Sequence, residues 1–178
     1  MLTTQSIIIL LAIIFAVMLE RAGRKFGIAA VPILPWQRAG MIDALRTYAP
    51  DHTQNNIAEL GCGWGGLIAS ILRADKTAQI TGFEGFWIPA LVSRIRFIFY
   101  RRVKIRQTDF TKTDLSEFNI VLCYLSHAHM KILETKFRTE LKPGSIIISN
   151  AFPMPEWPPI KEITTKAVVT HKIYIYKV

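Results

Sequence analysis

Cysteine is scarce in this chain, with only Cys62 and Cys123 among 178 residues. Two thiols without metal-type spacing exclude a disulfide scaffold and a zinc ribbon, so both read as reduced small residues. Histidine offers no substitute: His127 and His129, two apart at a helix start, read as surface or cap residues, and no metal is expected. Charge is absent at the beginning, where no Asp, Glu, Lys or Arg precedes Glu20 and Ile7 to Leu19 are all apolar. Acid is absent between Glu84 and Asp109, while Arg94, Arg96, Arg101, Arg102, Lys104 and Arg106 crowd the same stretch. Internal repeats and low-complexity tracts are lacking too, which excludes solenoids and arrays.

The length leaves room for one domain and a small appendage. The uncharged start is long enough to span a bilayer, so residues 1–22 are expected to be a membrane anchor, 23–34 a linker and 35–178 the domain. A signal peptide is the competing reading, but the basic n-region it needs is missing. Arg21, Arg24 and Lys25 follow the apolar run. Positive charge on that side places the domain in the cytoplasm, under a bacterial inner membrane or an organelle-like equivalent. Val31-Pro-Ile-Leu-Pro35 reads as rigid, extended chain.

A helical pattern follows to about Tyr48, and then apolar strands alternate with helices. Strands are expected near 57–60, 79–84, 103–108, 119–125 and 145–151, and helices near 65–74, 88–100 and 128–141. This alternation predicts an α/β fold: a Rossmann-like, doubly wound, mostly parallel seven-stranded sheet. The two β-rich runs at the end, Ile163 to Thr170 and Lys172 to Val178, are too close for a crossover and should form an antiparallel hairpin at the edge. The helix covering the second strand, Trp87 to Tyr100, carries aromatics and arginines. It is read as a sheet-covering helix that can also rest on a membrane surface.

The densest functional signal is Ile57-Ala-Glu-Leu-Gly-Cys-Gly-Trp-Gly65, a strand that breaks into a glycine turn and enters a helix. Gly61, Gly63 and Gly65, with Cys62 between them, let a ligand approach bare backbone, with main-chain N–H groups and the helix N-terminus in reach. Glu59 sets the sign of that ligand, because its carboxylate repels a pyrophosphate and attracts the sulfonium and ammonium of S-adenosylmethionine. The spacing differs from the dinucleotide G-x-G-x-x-G. Glu84 ends the second strand, where an open α/β sheet places the acid that accepts ribose hydroxyls. Asp109 ends the third, positioned to accept an adenine amino group while Phe110 flanks the ring.

In these residues the chain resembles class I S-adenosylmethionine-dependent methyltransferases over roughly residues 35–178. Within them it is similar to the small, membrane-anchored protein-lysine methyltransferases that act on the ATP synthase c subunit and the adenine nucleotide translocase, and to their bacterial relatives. Val31 to Pro35, Ser93-Arg94, Asp109 to Ser116, Leu133-Glu134 with Lys136 and Glu140-Leu141, and above all Asn150-Ala-Phe-Pro-Met-Pro-Glu-Trp-Pro158 carry the closer match. Trp64 stands where that family commonly has an acid, and Gly85-Phe86 where it has a Leu-Asn-like pair.

The resemblance implies that Glu59, Gly61, Gly63 and Gly65 hold the methionine end of the cofactor, Glu84 the ribose and Asp109 the adenine. Tyr124, after the fourth strand, and Asn150, Phe152, Pro153 and Trp157, after the fifth, fall where an acceptor should sit. Tyr124 and Asn150 are the catalytic candidates, and no general base stands out. The acceptor expected is a lysine of a protein, with membrane proteins included. Against a nucleic-acid acceptor, Cys123-Tyr-Leu-Ser126 replaces the Asp/Asn-Pro-Pro-aromatic motif of exocyclic-amine methyltransferases. A lipophilic small molecule, a nucleic acid or a non-catalytic cofactor-binding membrane module are the alternatives.

Overall fold

The computed structural model describes residues 3–6, 9–10, 13, 33–49, 55–165 and 170–178. The chain divides into two units, Met1–Val31 and Pro32–Val178, and the second carries all the elements below. Most of the expected anchor, residues 1–22, lies outside the described residues. Among the described residues no helix is long and apolar enough to cross a membrane.

Helix α1 (Pro35–Tyr48) begins with Pro35, whose missing N–H belongs to a turn that needs none. Gln37 Oε1 reaches back to accept the Leu34 N–H at 2.9 Å. Strand and helix then alternate: β1 (Asn56–Leu60), α2 (Gly66–Ala74), β2 (Gln79–Glu84), α3 (Trp87–Arg96), β3 (Val103–Gln107), β4 (Ile120–Cys123), α4 (His127–Glu140) and β5 (Ile146–Asn150). A single 3-10 turn, Phe110–Lys112, follows β3. The chain closes with β6 (Lys161–Thr165) and β7 (His171–Lys177). The order across the sheet is β3-β2-β1-β4-β5-β7-β6. The first five strands pair in parallel. β7 lies antiparallel between β5 and β6.

The expected fold is therefore found as a Rossmann-like α/β sheet of seven strands, with the antiparallel hairpin at one edge. His171, expected at the bend of that hairpin, instead begins β7 opposite Thr165. The expected strand end at 166–169 lies outside the described residues. Helix α3 stops at Arg96, short of the expected Tyr100, because Phe97 leaves helical geometry at φ −108° and ψ 14°.

Burial on both faces explains why β1, β4 and β5 are nearly continuous apolar runs. Ile57, Ile80, Ile120, Ile148 and Ile175 pack with Met41 and Leu45 of α1 and with Ile68 and Ile71 of α2. On the opposite face Cys123 and Ser149 reach the Met130 sulfur of α4 at 3.9 and 3.7 Å. Phe83 meets Phe118 edge to face at 5.8 Å there. The chain runs outward from β1 to β3 and then returns to β4 on the other side of β1. That reversal leaves a crevice above the carboxyl ends of β1 and β4, the place where open α/β sheets bind ligands.

Candidate functional site

The glycine turn stands over this crevice. Gly61, Gly63 and Gly65 all have positive φ, at 76°, 52° and 74°. The turn does not present its N–H groups as the sequence suggested. Gly61 and Cys62 both donate to the Phe83 carbonyl at 2.9 Å, and Gly65 donates to that of Cys62. Gly63 donates to Glu84 Oε2 at 2.8 Å. These four N–H groups are thus used within the protein, and the Cα surface of Gly63 stays open to a ligand.

The three glycines differ in what they permit. A Cβ on Gly65 would sit 2.4 Å from the Phe97 ring and 3.1 Å from Ser93 Oγ, so this glycine lets α3 lie against the turn. A Cβ on Gly63 would meet nothing within 4 Å, so its face is the open one. Cys62 points inward over Gly82, where its sulfur lies 2.8 Å from the place of a Cβ. Only its backbone belongs to the site. Burial raises both thiols, Cys123 to about 12, in keeping with unreactive cysteines.

Two buried carboxylates support the turn from beneath. Glu59, 5 % exposed, accepts from the backbone of Ile68, the third residue of α2. It thereby takes the place of the side-chain cap that Gly65 cannot supply at this helix N-terminus. Its Oε2 is buried with no hydrogen-bond partner. Burial pushes its pKa up to about 8, the Ile68 bond opposing and the charge of Glu84 adding to the rise. Glu84 is equally buried. Its Oε1 accepts from Phe86 N and its Oε2 from Gly63 N, both at 2.8 Å. Burial raises its pKa too, against the pull of those backbone bonds.

Asp109 lies two residues beyond β3 and caps the 3-10 turn through Oδ1, which accepts from Thr111 N and Oγ1 at 3.0 and 2.6 Å. Burial works to raise this carboxyl, but the Thr111 bonds, with Lys112 and His129 nearby, leave its pKa lowered. Phe110 is buried, its ring 5.7 Å from that of His129. His129 Nδ1 is 3.0 Å from Ser126 Oγ. Burial lowers the pKa of this imidazole although Asp109 opposes the shift.

On the other side of the crevice the chain reverses sharply after β5. Phe152 N donates to the Asn150 carbonyl at 2.9 Å across Ala151, whose φ is 68°. This is a γ-turn of the rare, strained kind, the sort of cost that persists where the surroundings require a particular side-chain placement. Ser149 Oγ fixes the turn by donating to the Phe152 carbonyl at 2.6 Å. Phe152 is thereby laid over Tyr124, the rings stacked at 6.2 Å, with His127 edge-on at 4.8 Å. Asn150 is fully buried, and neither atom of its amide has a hydrogen-bond partner.

Trp157 sits elsewhere. Its ring packs on Tyr176 at 5.7 Å beneath the Arg138 guanidinium at 4.3 Å. Tyr176 OH accepts from Met154 N at 2.9 Å, and Glu134 Oε2 from Glu156 N at 3.0 Å. These contacts pin the loop that carries half-buried Pro153 to α4 and β7, so Trp157 anchors the loop. His127 and His129, read from sequence as surface or cap residues, are found so, His127 exposed and His129 bonded to the N-cap Ser126; each also meets a ring, Phe152 and Phe110 respectively. Ser93, noted from sequence only within the family match, and Phe97 also support the turn; the signal for this contact was the small residue, Gly65, against which they pack.

Turn, acids and rings thus converge above the carboxyl ends of the parallel strands. The ANTKMT methyltransferase domain model matches residues 59–161, running from the buried acid of β1 through the loop after β5. The chain belongs to this family. It is an S-adenosylmethionine-dependent methyltransferase. A protein-lysine N-methyltransferase of Saccharolobus islandicus is 27% identical over 124 residues, covering 67% of this chain and 77% of that one. Among solved structures, an RNA methyltransferase from Salinibacter ruber in complex with S-adenosyl-L-homocysteine is similar, with a TM-score of 0.72 and 23% identity over 83% of this chain and 94% of that one. A methyltransferase from Geobacter sulfurreducens, also with S-adenosyl-L-homocysteine, gives a TM-score of 0.54 and 20% identity over 67% and 49%. Both likenesses carry the fold.

The methyltransferase's own residues fit a cationic cofactor. The orphan oxygen of Glu59, the internally bonded N–H groups of Gly61, Cys62, Gly63 and Gly65, and the open face of Gly63 favour a sulfonium or ammonium. A pyrophosphate finds the helix N-terminus already occupied by the Glu59 carboxyl, which a bound cation would ionise and a bound anion would not. Among the described residues no group of His, Cys, Asp and Glu is arranged to hold a metal.

Gly65→Ala should cost about 2–5 kcal/mol in urea unfolding, because left-handed strain adds to overpacking against Phe97. Gly63→Ala should cost only about 1–2 kcal/mol yet weaken S-adenosylmethionine binding by calorimetry. Glu59 has a folded pKa raised from 4.5 to about 8, so its stabilising contribution is fully present below the lower value and lost as pH rises through the higher one. Thermal unfolding of the ligand-free chain should fall in midpoint across that window, and Glu59→Gln should flatten the fall. A cation bound beside Glu59 favours its charged form, so cofactor affinity should rise with pH over the same window.

Proposed function

We propose that this methyltransferase transfers methyl groups to a lysine of a protein, a membrane protein in particular, and that its first residues hold it at a membrane with the domain on the cytoplasmic side. The observation that carries the acceptor half of this reading is the ring group of Tyr124, His127 and Phe152 beside the buried, unpartnered amide of Asn150. The similarity to the archaeal protein-lysine enzyme supports the same acceptor.

S-adenosylmethionine supplies an electrophilic methyl group on a sulfonium centre. The chain's residues have little covalent work to do; alignment and desolvation are their contribution. Glu84 offers its remaining acceptor capacity to the ribose hydroxyls, and the Gly63 face receives the methionyl portion. Asp109 and Phe110 take the adenine end. Tyr124 and Phe152 exclude water from an entering lysine, which favours its neutral, nucleophilic form. Their faces then accommodate a methylated ammonium through cation–π attraction. The Asn150 amide oxygen accepts an N–H of the amine, orienting its lone pair.

Purified chain incubated with labelled cofactor and membrane extract should place label on lysine in protein. Label confined to lipid, to a quinone-like small molecule or to RNA would contradict the acceptor. Phe152→Ala should lower kcat/KM for the protein acceptor about tenfold through lost cation–π contact, while cofactor affinity by calorimetry stays unchanged.

A further inference from the structure

The outward face of α3 and the turn beyond it is apolar although nothing among the described residues covers it. Of the thirteen large apolar side chains exposed among the described residues, seven fall between Trp87 and Tyr100. Phe99 is 93% exposed and Ile98 69%. The inner face of the helix is small and buried at Ala90 and Ser93, whereas Trp87, Leu91 and Ile95 form an outer stripe at helical spacing. A contiguous exposed patch of this kind marks an interaction site.

Charge identifies the occupant. Arg94 and Arg96 flank Ile95, and Arg101, Lys104 and Arg106 follow the patch, all exposed. No acid lies between Gly85 and Thr108, and among the described residues Arg106 alone of these five meets a carboxylate, that of Glu117 at 3.6 Å. Basic side chains around protruding aliphatic and aromatic groups match an anionic bilayer: the cations meet headgroups while the apolar groups enter the acyl boundary. Nucleic acid fits less well: Trp87, Phe99 and Tyr100 offer rings to bases, but the aliphatic Leu91, Val92, Ile95 and Ile98 among them find no partner there.

We propose that α3 and residues 97–101 form a docking surface for an anionic lipid bilayer. The same helix holds the cofactor turn. Ser93 Oγ donates to the Gly63 carbonyl at 2.7 Å, and Arg96 donates to that of Trp64 at 3.0 Å. Phe97 packs on Gly65. Docking through the outer face therefore sets the methyl-transfer site beside the headgroups, where a lysine at the edge of a membrane protein stands. The surface rests on the proposed acceptor for its purpose alone; its contact with lipid is measured without any acceptor.

Cys62 and Cys123 are buried, so the full chain carrying Phe99→Cys can be labelled there with an environment-sensitive fluorophore. Asp43→Cys on α1 is the exposed control. With vesicles containing brominated phosphatidylglycerol, the probe at 99 should shift to the blue and be quenched at least about threefold more than the probe at 43. Arg101→Glu with Lys104→Glu should remove that difference, as should vesicles of phosphatidylcholine alone. Equal quenching at the two positions overturns the proposal. So does a probe at 99 already shielded before vesicles are added, which assigns the face to residues 1–31 or to a second copy, and so does a shift produced by an RNA oligonucleotide in place of vesicles. Lipid contact at 99 in a chain that labels no protein lysine leaves this surface standing and sinks the acceptor.

Discussion

Glu84 closes two turns with one carboxylate. Through Oε2 it holds Gly63 and through Oε1 it holds Phe86, so the glycine turn after β1 and the entry to α3 are fixed to the end of β2 by the same side chain. Beneath them Glu59 occupies the N-terminus of α2, where related folds put a phosphate. Two buried acids in one small volume raise each other's cost of ionisation, and a cationic ligand relieves it. The preference for a sulfonium over a pyrophosphate is thus a consequence of how the turn is held, as well as of which residues line it.

Much of the fold follows from local pattern. Apolar runs too short for helices and the alternation of strand with helix lead to parallel pairing, and α4 stops where Leu141 turns extended, at φ −74° and ψ 146°, two residues before Pro143. The end of α3 was not legible. Helix-spaced apolar residues continue to Phe99, but Phe97 turns inward to fill the space over Gly65, and the residues after it are left facing out. The periodicity of Trp87 to Tyr100 is real; it describes an uncovered face rather than a buried one.

The glycines and strand-end acids are legible because they are sequence-local features. Tyr124, Asn150, Phe152, Pro153 and Trp157 are legible as strand-end and loop residues, but which of them come together is not. Tyr124, His127 and Phe152 meet only because β4 and β5 are neighbours and because Ala151 takes a positive φ that its residue type does not announce. Trp157, three residues beyond Met154 in the same loop, goes to Tyr176 and Arg138 for reasons that lie on β7 and α4. Asn150 was legible as a strand-end residue, yet its unpartnered amide is a property of the packed sheet.

The central claim is that buried carboxylates make this crevice select a cation where similar sheets select a phosphate. Calorimetric titration of the full chain with S-adenosylmethionine, NAD and ATP, side by side at neutral pH, measures that selection. The account predicts saturable binding of S-adenosylmethionine and none of the two phosphate-bearing ligands. Binding of NAD or ATP with S-adenosylmethionine excluded would contradict it.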